Sequence, residues 1–226
     1  MSRGLSRELI ALRVAKELKD GMYVNLGMGL PLNVANLIPR DAGVMFHSEN
    51  GILGYGPMPE EHEWDAELVG AQGQPLTLLP GACFFHSVDS FVMLRGGRVD
   101  VAILGAFQVS ERGDLANWMT LEQMRKSKQQ LGSMGGAMDI ACGAKRLLVM
   151  MEHVTPRGEA RILRQCTYPL TAQGVVNTIF TDLAVLEVAS DGLILKEIAP
   201  GITVDEVQAV TEPRLIVSQG LKEIDL

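Results

Sequence analysis

Apolar positions Leu9, Val14 and Leu18 recur at roughly helical spacing and predict an amphipathic helix over Leu5–Asp20, with Gly21 at its C-terminal cap. Met22-Tyr23-Val24-Asn25-Leu26 then reads as a strand running into Gly27-Met28-Gly29, with a short helix after Pro31. Val44–Phe46 predicts a second strand, which ends at His47-Ser48-Glu49-Asn50-Gly51. Leu76–Leu79 predicts a strand closed by Pro80-Gly81, and Val88–Leu94 a helix stopped at Gly96-Gly97. Val101–Leu104 and Leu147–Met151 are uninterrupted apolar runs, as expected of strands covered on both faces. Phe107–Val109 and the Gly113 region suggest further strands or turns. Ala184–Val188 and Leu193–Ile198 flank Ser190-Asp191-Gly192 as a hairpin, and Thr203 begins a helix with Asp205 and Glu206 in its first turn.

Apolar strands alternating with helices predict an α/β fold, an open, mostly parallel sheet with flanking helices. No internal repeat or linker divides residues 1–226, so the expectation is one domain. Open sheets of this class bind ligands at the carboxyl ends of their strands. The glycine-rich stretches after Leu26, Phe46, Leu79 and Leu104 are therefore expected to gather along one edge.

A formal net charge of −7 argues against nucleic acid as the main partner, because phosphate binding needs a basic footprint. Cys83, Cys142 and Cys166 form no C-x-x-C pair and read as buried reduced thiols in a cytoplasmic protein. No metal-ligand spacing links His62, His86 and His153, and no metal is expected. The N-terminus lacks a signal-peptide pattern, and no apolar run approaches the length of a membrane span.

Glu49 is the unusual residue, a carboxylate at the end of an apolar strand beside Asn50-Gly51, a pair suited to a sharp turn. One reading is a dinucleotide site, with Gly27-x-Gly29 as fingerprint and Glu49 near the ribose position. That match is poor, since the third glycine position holds Leu32 and Pro31 falls inside the motif. Another makes Glu49 a nucleophile that attacks an activated carbonyl. Gly135-Gly136, ahead of a helix from Ala137, would supply backbone N–H groups for the oxyanion. A third makes the stretch an ordinary polar turn.

Over nearly its whole length the chain resembles the B-type subunits of the family I CoA-transferases, of the 3-oxoacid kind. The resemblance is carried by Asn25–Pro31, Ser48–Gly54, Leu79–Ala82, Leu94–Gly97, Gly113–Trp118, Met134–Asp139, Met151–His153 and Cys166–Thr171. It implies a CoA-transferase-like, Rossmann-like fold with Glu49 as the catalytic residue, which is acylated and then held as a glutamyl-CoA thioester. Ser48, Asn50 and Gly51 would form the supporting turn, and Asn25, Gly27, Gly29, Gly135 and Gly136 the acyl and oxyanion site. Gln72 and Gly73 would be CoA contacts. Coenzyme A is then a substrate, with no cofactor or metal required, and the partner is a homologous A-type subunit in an A2B2 heterotetramer. Phe84–Ser87 and Thr181–Val188 look closest to 3-oxoadipate-type members, and succinyl-CoA with a 3-oxoacid is the leading substrate pair. A short-chain acyl or acetate transferase, and a non-catalytic ligand-binding subunit of the same fold, stay open.

The segment Thr120–Leu131, with Arg125, Lys126 and Lys128, is longer than in related chains and reads more readily as a solvated insertion than as a substrate loop. His47 reads as local packing, Glu152-His153 as structural, Asp139 as a partner of a helix dipole, and Arg95 as one half of an ion pair.

Overall fold

The computed structural model describes residues 4–126 and 133–226. In chain order the elements are α1 (Arg7–Ala15), β1 (Tyr23–Leu26), β2 (Met45–Ser48), β3 (Ile52–Tyr55), β4 (Leu78–Phe84), α2 (Ser87–Arg95), β5 (Val101–Gly105), β6 (Gln108–Ser110), β7 (Leu115–Ala116) and α3 (Leu121–Lys126). There follow α4 (Ala137–Gly143), β8 (Arg146–Met150), β9 (Ile162–Leu163), β10 (Val176–Phe180), β11 (Ala184–Ala189), β12 (Gly192–Ile198), α5 (Val204–Ala209) and β13 (Ile216–Glu223). Short 3-10 helices occupy Leu30–Leu37 and Glu61–Glu63.

Ten strands form one sheet in the order β13-β12-β11-β10-β8-β5-β1-β2-β3-β4. The centre, β10-β8-β5-β1-β2, is parallel throughout. Antiparallel hairpins extend it on both sides, β2-β3-β4 on one and β10-β11-β12 on the other, before β13 closes the far edge in parallel with β12. A small second sheet has the order β7-β6-β9. The central strands are apolar because both faces are covered: Val101–Leu104 and Leu147–Met150 are wholly buried. They belong to one continuous core cluster that runs from Ile10 to Ile224. α1 packs on the Leu30–Leu37 helix and β8, and α2 packs on α4, which in turn meets β5.

Several expectations are corrected. The first helix is shorter than Leu5–Asp20: Ser6 caps its start, accepting from the Leu9 N–H at 3.3 Å, and regular helix stops at Ala15. The strand expected to close at Pro80-Gly81 instead begins at Leu78 and runs through them to Phe84. Proline is tolerated there because β4 is the sheet edge, where one row of backbone donors needs no partner. The glycine stretch after Leu79 therefore marks no strand end and does not join the others. Phe107–Val109 shifts to Gln108–Ser110. Cys83 and Cys142 are exposed and Cys166 is half-buried, so the expected buried thiols are not found; Cys83 lies on the edge strand and Cys142 near the end of α4. The β11–β12 hairpin forms with Gly192 opening its second strand, and Thr203 with Glu206 forms a reciprocal capping box on α5.

Arg13 ties α1 to the sheet. Its guanidinium grips Glu197 of β12 through two hydrogen bonds at 2.7 and 2.9 Å, reaches Glu17 at 3.0 Å, and lies 5.3 Å from the ring centre of Phe180. Burial opposes the charge on Glu197, but Arg13, with help from Lys222, outweighs it and holds the carboxyl below the ordinary glutamate range. Arg13→Met leaves that buried carboxylate undercompensated and should cost about 3 kcal/mol or more of unfolding free energy in urea denaturation. Joining it to Glu197→Leu should recover much of the loss; a double variant as unstable as the sum of the singles would refute the coupling.

Candidate active site

Parallel pairing puts the carboxyl ends of β1, β2, β5 and β8 along one sheet edge, where a cleft of about 890 Å3 opens. Gly27 and Met28 follow β1, Glu49 and Asn50 follow β2, Gly105 to Phe107 end and follow β5, and Met150 to Glu152 end and follow β8. This is the position at which open α/β sheets hold their ligands. Gly135, Gly136 and Ala137 at the start of α4, together with Phe91 of α2, supply another wall.

Glu49 is carried by a tight turn between β2 and β3. The Gly51 N–H donates to the Ser48 carbonyl at 3.0 Å, and Gly51 takes φ +113°. A side chain at position 51 would run into the carbonyl oxygen of Phe85, so both the conformation and the space require glycine. Asn50 locks the turn by donating to the Val69 carbonyl at 2.8 Å, and the Ser48 hydroxyl accepts from the Ala71 N–H at 3.0 Å.

His47 of β2 and Glu49 of the turn project to the same side, since the side-chain amide of Asn25 meets both. Asn25 is the register partner of His47 on β1 and joins them. Its buried side-chain amide lies 3.1 Å from His47 Nδ1, 3.1 Å from the His47 carbonyl and 3.4 Å from Glu49 Oε2. An amide N–H can only donate, so His47 Nδ1 is the acceptor and its Nε2–H faces Ser90 Oγ at 3.0 Å. The Ser90 hydroxyl in turn reaches the Ser48 carbonyl at 3.4 Å. Burial lowers the His47 pKa to about 4, which keeps the ring neutral, as this arrangement demands. Tyr55 is also buried, and desolvation, with the negative charge of Glu49 nearby, raises its phenol pKa.

The residues singled out from the sequence divide sharply. Glu49, Asn50, Gln72, Gly135 and Gly136 line the cleft, and Asn25 stands behind Glu49. A Cβ on Gly136 would lie 3.7 Å from Glu49 Cγ and 3.0 Å from the Phe91 ring, so that glycine abuts the acid. Its N–H has no internal acceptor among the described residues, whereas the Gly135 N–H is taken by the Ser133 hydroxyl at 3.1 Å. Gly27 lines the cleft, but its N–H is committed to the Ile103 carbonyl at 2.7 Å and cannot serve an oxyanion. Gly29 and Gly73 are exposed and lie off the cleft lining. Gln72 donates to the Leu26 carbonyl at 3.2 Å, leaving its buried Oε1 without a partner. The dinucleotide reading fails because the glycine stretch leads into a 3-10 helix rather than an α-helix N-terminus.

His47 is buried packing, as read, but it also holds Asn25 against Glu49. Ser90, Arg7, Arg161 and Trp118 received no role from the sequence, and Glu152 turns out to line the cleft while pairing with Arg7 at 2.7 Å. His153 is structural: it is wholly buried between the Thr181 and Thr211 hydroxyls at 2.9 and 2.8 Å. Arg95 does find an acid, and it is Asp139 at 2.7 Å, whose role is thus more than dipole complementarity. Cys166 is a poor nucleophile on chemical grounds, since desolvation and the Asp114 charge raise its pKa to about 12. In the 120–131 segment α3 is capped by Thr120 and presents Arg125 to solvent; Lys128 lies outside the described residues. Among the described residues no cluster of His, Cys, Asp and Glu is placed to hold a metal ion, and no helix is long and apolar enough to cross a membrane.

The coenzyme A transferase family model matches residues 7–209, and the chain belongs to that family. It is 46% identical over 217 residues to the B subunit of the 3-oxoadipate CoA-transferase of Acinetobacter baylyi, covering 96% of this chain and 98% of that protein. It is 48% identical over 206 residues to the B subunit of the succinyl-CoA:3-ketoacid coenzyme A transferase of Helicobacter pylori, covering 91% and 96%. The fold is shared with the acyl-CoA transferase YdiF of Escherichia coli O157:H7, with a TM-score of 0.76 at 18% identity over 98% of this chain and 43% of that one.

His47→Phe fills the ring space but removes both nitrogens, taking one partner each from the Asn25 amide and the Ser90 hydroxyl. It should cost about 1–3 kcal/mol of unfolding free energy, and Ser90→Ala about 1 kcal/mol. Acid should reveal the same burial. His47 and His153 have native pKa values of about 4 against an ordinary 6.5, so their contribution is full above pH 6.5 and is lost as pH falls toward 4. Urea unfolding across that window should show a shallower pH slope for His47→Phe than for the native chain; an unchanged slope and stability would refute the network.

Proposed function

We propose that this chain is the nucleophile-bearing subunit of a CoA-transferase that moves CoA from an acyl-CoA, succinyl-CoA foremost, to a 3-oxo carboxylic acid. The observation that carries the reading is the placement of Glu49: a carboxylate on a rigid turn, in the cleft at the strand ends, abutting Gly136 and touched by the Asn25 amide. Family membership and the names of the two relatives support the same chemistry.

In the first step a Glu49 carboxylate oxygen attacks the thioester carbonyl carbon. The C–S bond breaks, CoA leaves as thiolate, and a mixed anhydride joins Glu49 to the acyl group. The thiolate then attacks the Glu49 carbonyl carbon and expels the donor acid as its carboxylate, leaving a glutamyl-CoA thioester. An acceptor carboxylate reverses both steps and departs as the new acyl-CoA. The thioester bond energy is retained throughout, and no ATP, redox group or metal enters the balance. The Gly136 N–H, without an internal acceptor among the described residues, is the donor we assign to the oxyanion, with the Asn25 amide steadying the carboxylate. The orphaned Gln72 Oε1 suits an amide N–H of the pantetheine arm.

A homologous A-type subunit, in an A2B2 assembly in the cytoplasm, belongs to this reading. It is supported by the relatives being named as B subunits and by YdiF, in which the shared fold fills under half of a longer chain. Phe84, Val88 and Val92 are each at least 60% exposed, an apolar surface fit for a partner.

Mixing the complex with acyl-CoA and no acceptor should add the mass of CoA less water to this chain, at Glu49 by peptide mapping. Glu49→Ala should abolish the adduct without altering the melt. Glu49→Asp, which withdraws the carboxylate by roughly 1 Å, should slow transfer about a hundredfold. An adduct on a cysteine, or native-rate transfer by Glu49→Ala, would refute the mechanism.

A further inference from the structure

Among the described residues four charged side chains line the cleft: Arg7, Glu49, Glu152 and Arg161. Arg7 and Glu152 neutralise one another, with Arg7 Nε and Nη2 at 3.1 and 2.7 Å from the same carboxylate oxygen. Glu49 is the nucleophile. Arg161, a half-buried residue, is left over: its guanidinium has no acid and no other acceptor among the described residues.

The position is built, not incidental. Arg161 ends a tight excursion after β8, closed by the Val154–Ala160 bridge and by the Thr155 N–H donating to the Glu159 carbonyl at 2.8 Å. Its own N–H donates to the His153 carbonyl at 3.2 Å, and its carbonyl accepts from the Val109 N–H at 3.0 Å. His153 is itself clamped between two threonines, so the backbone that presents Arg161 is anchored in the core. A partly desolvated cation without a partner is costly, and a guanidinium is shaped to take a carboxylate through two hydrogen bonds.

We infer that Arg161 receives the distal carboxylate of a dicarboxylic acyl group whose other end reacts at Glu49, an assignment that rests on the CoA-transfer reading above. The charge count supports it. With Glu49 ionised the four side chains sum to zero; once Glu49 is held as anhydride or thioester they sum to +1. A carboxylate brought in by the substrate restores neutrality at the step where the cleft needs it. Leu104, Phe107, Met150 and Met151 on the cleft wall suit the methylenes between the two ends. A monocarboxylic acid such as acetoacetate would use the same nucleophile without engaging Arg161.

The test uses the complete enzyme, this chain with its partner, and compares Arg161→Gln and Arg161→Lys with the native protein. Rates of CoA-adduct formation are measured with succinyl-CoA and with acetyl-CoA, and kcat/KM with 3-oxoadipate and with acetoacetate as acceptor. Loss of one charge-assisted hydrogen bond should lower the dicarboxylate rates of Arg161→Gln about 10- to 150-fold. Monocarboxylate rates and the thermal melt should stay within about twofold and a degree or so of native, and Arg161→Lys should recover part of the loss. Equal losses on all four substrates would mean that Arg161 holds a CoA phosphate or the fold, and would overturn the assignment; so would no loss on any. If the native complex forms no adduct with either acyl-CoA, the CoA-transfer reading itself falls, and this assignment with it.

Discussion

Everything at the cleft depends on the parallel register of β1 against β2. Pairing Asn25 with His47 sets two buried polar side chains side by side at the strand ends, and the turn that follows β2 brings Glu49 against the same Asn25 amide. A slip of one residue would send the three side chains to opposite faces. The polar chain from Asn25 through His47 and Ser90 to the Ser48 carbonyl opposes that slip, because each buried donor and acceptor in it would lose its partner. The register and the position of Glu49 are thus fixed by the same hydrogen bonds.

The sheet is parallel at its centre, where the cleft opens, and antiparallel hairpins flank that centre on both sides. Parallel pairing of β2, β1, β5 and β8 stacks four carboxyl ends along one edge, and the loops that leave them converge without lengthy detours. The β2–β3 hairpin does something different: it reverses the chain within a tight turn, so Glu49 sits on one of the stiffest kinds of connection a sheet offers. An acid on a long loop would take many positions; one held by the turn of Gly51, Asn50 and Ser48 is confined to few.

Charge is sparse in the cleft. One acid–base pair is self-neutralised, Glu49 is touched by the Asn25 amide, and a single further cation among the described residues is held on an anchored backbone. With few fixed charges, any change in the charge at Glu49 would alter the local field substantially, which is the condition under which a ligand's own charge can be read.

The class of fold, the hairpin around Ser190-Asp191-Gly192, the capped helix after Thr203 and the singularity of Glu49 were all legible in the sequence, because each rests on local causes: apolar runs, turn glycines, a side-chain cap, and an acid where an acid is out of place. The strand through Pro80-Gly81 was not, since whether proline is tolerated depends on which strand forms the edge. The exposure of Cys83 was hidden for the same reason. Nor does the chain show locally that Gly27 gives its N–H to Ile103, because that acceptor lies on a strand distant in sequence. Arg7 and Arg161 are 154 positions apart and look alike as letters. Only the packing of β8 against its neighbours gives one an acid partner and leaves the other, among the described residues, without one at the cleft, because ion pairing is decided by distance in space and not along the chain.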